Sequence, residues 1–93
     1  VVPALAAAQG YKTQEEYVAE NRAAKKAESM MHSGKLEDAI FFLNGELAGM
    51  PRSAILHFEL GNAHLRSREF TRAIECYQQA VRLRNPFPEA CLN

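Results

Sequence analysis

Ninety-three residues suffice for one small domain with a thin core, because a chain of this length buries at most roughly two thirds of its unfolded surface. Eleven basic residues balance eleven acidic ones, which excludes the strong positive field that nucleic acid or anionic lipid binding relies on. The composition, 47% hydrophobic and 24% charged, is ordinary for a globular chain, and no apolar run approaches the roughly 20 residues of a membrane span.

Residues 1–12 read either as an N-terminal arm or as the remnant of a secretory signal. Ala6 and Ala8 carry the small-residue cleavage pattern, but no basic region or full apolar stretch precedes them. The compartment stays open between a cytoplasmic and a periplasmic or envelope location. Thr13-Gln14-Glu15-Glu16 then has the form of a capping box with Thr13 as the cap. Tyr17, Ala23, Ala24, Ala27, Met30 and Met31 follow at helical spacing until Ser33-Gly34 interrupts them, which predicts one long helix. Leu36, Ala39, Ile40, Leu43 and Leu47 mark a second helix that ends near Gly49, with Pro51 beyond it as a stop.

Ser53 caps a third helix, in which Leu56, His57, Leu60, Gly61, His64 and Leu65 share the buried side. After the turn Ser67-Arg68-Glu69, a fourth helix from about Phe70 carries Ala73, Ile74, Tyr77, Ala80 and Val81 inward, and Asn85-Pro86 closes it. Pro88 suits the first position of a fifth helix. Nothing alternates with a period of two, so the expected fold is all-α.

Ala27, Leu36, Ala39, Ile40, Leu43 and Leu47 reappear after 34 residues as Gly61, Phe70, Ala73, Ile74, Tyr77 and Val81. The repeated unit is a pair of short helices joined by a tight turn, an antiparallel hairpin that cannot bury its apolar stripe alone and must stack on its neighbour. The organisation is then a first hairpin with an extended first helix over 13–53, a second unit over 54–87 and the start of a third over 88–93. The pattern stops partway through a unit, which points to a longer array.

Candidate chemistry is sparse. His57 and His64 lie seven residues apart on one face, but both fall on core positions, where an imidazole packs and finds one hydrogen bond. Cys76 and Cys91 have no metal or disulfide spacing and read as reduced packing residues, Cys91 on an inner face and Cys76 on an outer one. No nucleophile elbow, cysteine–histidine motif or phosphate loop is present, so neither catalysis nor a cofactor is expected. Glu15-Glu16 and Glu37-Asp38 fall in first turns, and Arg66, Arg68, Arg82 and Arg84 near helix ends, where the helix dipole favours them. Met30 falls on the core side and Met31 on the surface.

Leu60, Gly61, Phe70, Ala73, Tyr77 and Ala80 in the second unit, and Ala27, Gly34, Leu36, Ala39, Leu43 and Pro51 in the first, resemble the signature positions of the tetratricopeptide repeat family. The resemblance covers residues 20–93 and implies a right-handed superhelical stack of hairpins that binds other proteins. Small residues at 27, 39, 61, 73 and 80 let helices cross closely. The sequence departs from the pattern at His57 and His64, where aromatics are usual, at Glu46, where alanine is usual and Gly45 is the alternative source of close approach, and at Pro86, one residue late.

The resemblance places the partner surface on a concave groove lined by the first helix of each unit. It would contain Lys25, Glu28, Met31 and His32, then Ile55, Phe58, Glu59, Asn62, Leu65 and Arg66, then Asn93. Asn62 and Asn93 match asparagines with which some members bind the backbone or carboxylate of a C-terminal peptide. The lysine expected before Asn62 is replaced by Phe58, which argues against a carboxylate clamp and for an apolar anchor site, with Asn62 fixing backbone register. The alternative is that Phe58 and Asn62 serve only contacts with the neighbouring helix.

The implied function is non-catalytic binding of a protein or peptide segment, as a scaffold or assembly factor. A docking or regulatory segment of a larger enzyme is the second reading. A third is self-association through an uncapped apolar edge at Cys91 and Leu92.

Overall fold

Thr13 holds an extended backbone, φ −78° and ψ 164°, and its hydroxyl accepts the Glu16 N–H at 3.2 Å. That bond satisfies one of the donors a helix start leaves open, so α1 (Gln14–His32) begins where the capping box predicts. The computed structural model describes residues 13–84. They continue with α2 (Leu36–Gly49), α3 (Ala54–Arg66) and α4 (Phe70–Arg84), and no strand occurs among them. Ser53 caps α3 in the same way, its hydroxyl accepting the Leu56 N–H at 3.2 Å.

Each hairpin closes through one set of backbone bonds. In the first, Gly34 N–H donates to Met31 O at 3.0 Å and Lys35 N–H to Met30 O at 2.9 Å. In the second, Arg68 N–H donates to Leu65 O at 3.0 Å and Glu69 N–H to His64 O at 2.8 Å. This is the Schellman closure, which requires a left-handed residue just past the helix end. Gly34 adopts it with φ 80°, and Arg68 adopts it with φ 63°.

Helix α3 is the central element and packs on α1, α2 and α4. Ala27, Ala39, Leu43, Leu56 and Ala63 are fully buried between α1, α2 and α3, and burying Leu43 or Leu56 stabilises the fold by roughly 2 kcal/mol each. Lys26 of α1 lies over the ring of the half-buried Phe42 of α2 at 4.8 Å, a cation–π contact that links the two helices of this hairpin. Among the described residues no helix is long and apolar enough to cross a membrane.

Several expectations change. Ile74 and Val81 do not point inward: both are more than half exposed, as is Phe70, because α4 packs chiefly on α3 and only Ala73 and Ala80 are buried there. Leu65 is likewise exposed rather than on the buried side of α3. Met31 is buried at 6% exposure while Met30 is only half-buried, the reverse of the expected pair, because the α1 stripe runs through Ala24, Ala27 and Met31. Gly45 meets nothing within 4 Å and supplies no close approach. His57 is half-buried, its Nε2 3.0 Å from Pro51 O, whereas His64 is buried with Nδ1 3.2 Å from Glu69 Oε1. Cys91 and the fifth helix lie outside the described residues.

Candidate functional site

Two adjoining recesses open along the side of α3 that faces α1 and α4. The larger, about 490 Å³, is lined by Ala54, Ile55, Phe58 and Glu59 of α3 and by Tyr77, Ala80, Val81 and Arg84 of α4. The smaller, about 200 Å³, lies between Glu28, Met31 and His32 at the end of α1 and Phe58, Glu59, Asn62 and Arg66 of α3. Positions 55, 58, 59, 62 and 66 recur at three- and four-residue intervals, so they form one stripe on α3. Phe58 and Glu59 belong to both recesses and form the ridge between them.

Tyr77 builds the α4 wall of the larger recess. A Cβ added at Gly61 would lie 2.7 Å from Cε1 and 2.8 Å from Cδ1 of this ring, so only glycine there lets Tyr77 cross so close to α3. The ring packs on Phe58 with centroids 5.5 Å apart and planes tilted by 49°. Its hydroxyl donates to Asn62 Oδ1 at 2.5 Å. With its carbonyl held, Asn62 keeps its amide NH2 to donate to an incoming acceptor. Phe58 remains 48% exposed despite its contact with Tyr77.

Glu59 is the unusual charge. It is only 4% exposed, and its Oε2 has no hydrogen-bond partner among the described residues. Burial first, then the charge of Glu28 and a hydrogen bond with Glu28, push its carboxyl up to about 7, with Arg66 acting in the opposite direction. The Tyr77 hydroxyl is pushed up by burial, then by Cys76 and Glu59. Burial, then Glu75, raises the half-buried Cys76 thiol, which disfavours the thiolate a nucleophile needs. No group of three or more His, Cys, Asp or Glu side chains among the described residues is placed to hold a metal ion.

The structure thus brings Glu28, Met31, His32, Ile55, Phe58, Glu59, Asn62 and Arg66 into the two recesses. Met31 does so from a buried position, with little surface to offer. Lys25 and Leu65 are exposed but line neither recess, and Asn93 lies outside the described residues. Tyr77 and Val81, which helical spacing assigns to the core, line the larger recess together with Arg84, to which the sequence gives no site role. The only advance signal for Tyr77 was the glycine opposite it.

The family model of the tetratricopeptide repeat matches residues 54–86. Residues 54–86 are a tetratricopeptide repeat. Comparison with curated proteins and with solved structures finds no match. The tetratricopeptide repeat here consists of α3, α4 and the Arg68 turn, and the hairpin of α1 and α2 stacks on it with the same closure. Repeats of this family are protein–protein interaction modules, and this one carries the ridge of Phe58 and Glu59 with the Tyr77–Asn62 bond beside it.

Proposed function

We propose that the chain is a non-catalytic interaction module, a scaffold or assembly factor, that holds an extended or helical segment of a partner protein along the two recesses of α3. The observation that supports this reading most is Phe58, a half-exposed aromatic that stands between two recesses instead of in the core. An aromatic on a rigid helix offers apolar contact at little entropic cost, and a neighbouring polar side chain with fixed geometry sets the register of a bound backbone. Asn62, held by Tyr77, supplies that second element.

The test uses a probe peptide selected from a random dodecamer display library against the purified chain. Phe58→Ala should weaken its affinity about tenfold or more, as expected for an anchor residue, while the helical circular dichroism spectrum is unchanged. Asn62→Ala should weaken it by a smaller factor. Unchanged affinity in both folded variants contradicts the groove.

The exposed side of α4 favours self-association as a second reading. Phe70 and Ile74 are 57% and 55% exposed on one helix, a surface that stacking hairpins cover. Sedimentation across a wide concentration range should then detect a dimer, and a strictly monomeric species contradicts it.

A further inference from the structure

The smaller recess has a charge distribution that a purely apolar or backbone-reading groove would not need. Glu28 reaches it from α1 and Glu59 from α3, and the charge of Glu28 acts on the Glu59 carboxyl. Two carboxyls in one small recess are not in themselves a site. Glu59 adds an independent feature: its side chain is more than nine-tenths buried, lines the recess, and keeps one carboxylate oxygen without a hydrogen-bond partner among the described residues. A buried carboxylate oxygen left unpaired is costly, and it is satisfied either by a proton on Glu59 or by a cation brought from outside.

The other charged and titratable groups around Glu59 are few. His32 of α1 and Arg66 of α3 line the same recess, and Tyr77 and Arg84 of α4 line the adjoining one. Within the smaller recess Arg66 is thus one fixed cation against two carboxyls. An acidic side chain or a terminal carboxylate would meet repulsion there, and an aliphatic one would leave the buried oxygen unsatisfied.

We propose that this recess is the specificity pocket of the groove and takes a basic side chain of the partner segment, lysine or arginine, whose cationic head pairs with Glu59 beside Glu28 while a neighbouring apolar residue of the segment packs on Phe58. The proposal rests on the groove reading and names the chemistry of its partner. Binding then moves a proton from Glu59 to solvent. Because Glu59 is held near 7, affinity for a basic segment rises with pH across neutrality, by about tenfold between pH 6 and pH 8.

The probe is the selected dodecamer, compared with its counterpart in which each basic residue in turn is replaced by norleucine. At pH 8 one such replacement should weaken binding to the native chain about tenfold and to a Glu59→Gln chain less than twofold. The native chain should also bind the original peptide about tenfold more weakly at pH 6. The norleucine arm leaves the protein unchanged, so it does not depend on how the Gln variant folds. If Phe58→Ala abolishes binding but no norleucine replacement matters, the groove stands and the basic pocket is overturned. If Phe58→Ala also leaves the affinity intact, the groove reading fails and the pocket with it.

Discussion

The two hairpins close with the same backbone bonds, displaced by 34 residues, yet they solve two positions differently. At the positions of the helix crossing the first has Ala27 and Leu43, both without solvent exposure, and the second has Gly61 against a half-buried Tyr77. At the left-handed turn position the first has Gly34 and the second has Arg68. Glycine inside a helix costs about 1 kcal/mol relative to alanine, and a side chain at positive φ costs roughly 1–2 kcal/mol. The second hairpin, which is the tetratricopeptide repeat, therefore carries both local penalties. At the crossing it gains an aromatic wall and a hydroxyl that fixes Asn62. One scaffold closes its crossing into the core in the first copy and against an open recess in the second.

The two hairpins differ most at the crossing. Gly61→Leu should destabilise the chain by about 3 kcal/mol, because the added side chain overlaps the Tyr77 ring. Transplanting the first hairpin's solution, Gly61→Ala together with Tyr77→Leu, should cost at least about 1 kcal/mol less than the two single changes summed. Urea unfolding of the four chains measures that coupling, and simple additivity would mean that the two crossings are not alternative packings of one site.

Glu59 supplies the next effect. The folded chain keeps its proton at pH values where the unfolded chain has released it, so stability falls as pH rises from the ordinary carboxyl value of 4.5 through about 7. The loss reaches up to about 3 kcal/mol above pH 7. Glu59→Gln should remove this portion of the pH dependence, making the variant relatively more stable at pH 8 than at pH 4. A native and a Gln chain with parallel stability profiles would show that Glu59 is not the group responsible. The equivalent position of the first hairpin should not behave this way, since the residue there is the exposed Lys25.

The smallest effect has opposite signs in the two turns. Gly34→Ala should cost about 1 kcal/mol, and Arg68→Gly should stabilise by about 0.5–1 kcal/mol, because only glycine holds positive φ without strain. Thermal unfolding of the two variants reads the difference, and shifts of the same sign would contradict it.

What was legible in the sequence follows from how local the chemistry is. Thr13, Ser53 and the turn at Gly34 carry their signals within a few residues, so the four helices and their hairpin pairing could be read directly. The grouping of Glu28 of α1 with Phe58, Glu59, Asn62 and Arg66 of α3 followed from repeat register. Arg68 gave no sign of positive φ, because the Schellman bonds impose it on whatever residue stands there. Tyr77 read as core because its counterpart Leu43 is core, and its partner Asn62 lies on another helix. Ile74 and Val81 read as inward because an apolar stripe does not reveal whether a neighbour covers it. The burial of Glu59 depends on three helices meeting, which no single segment encodes.

If the Phe58–Glu59 ridge of the tetratricopeptide repeat binds the partner, backbone amide chemical shifts followed during titration with the selected peptide will report it. The largest changes should fall on Glu28, Phe58, Glu59, Asn62 and Tyr77, with the outer face at Lys26, Phe41 and Phe42 unmoved. Largest changes at Phe41 and Phe42, with the α3 stripe silent, would contradict it.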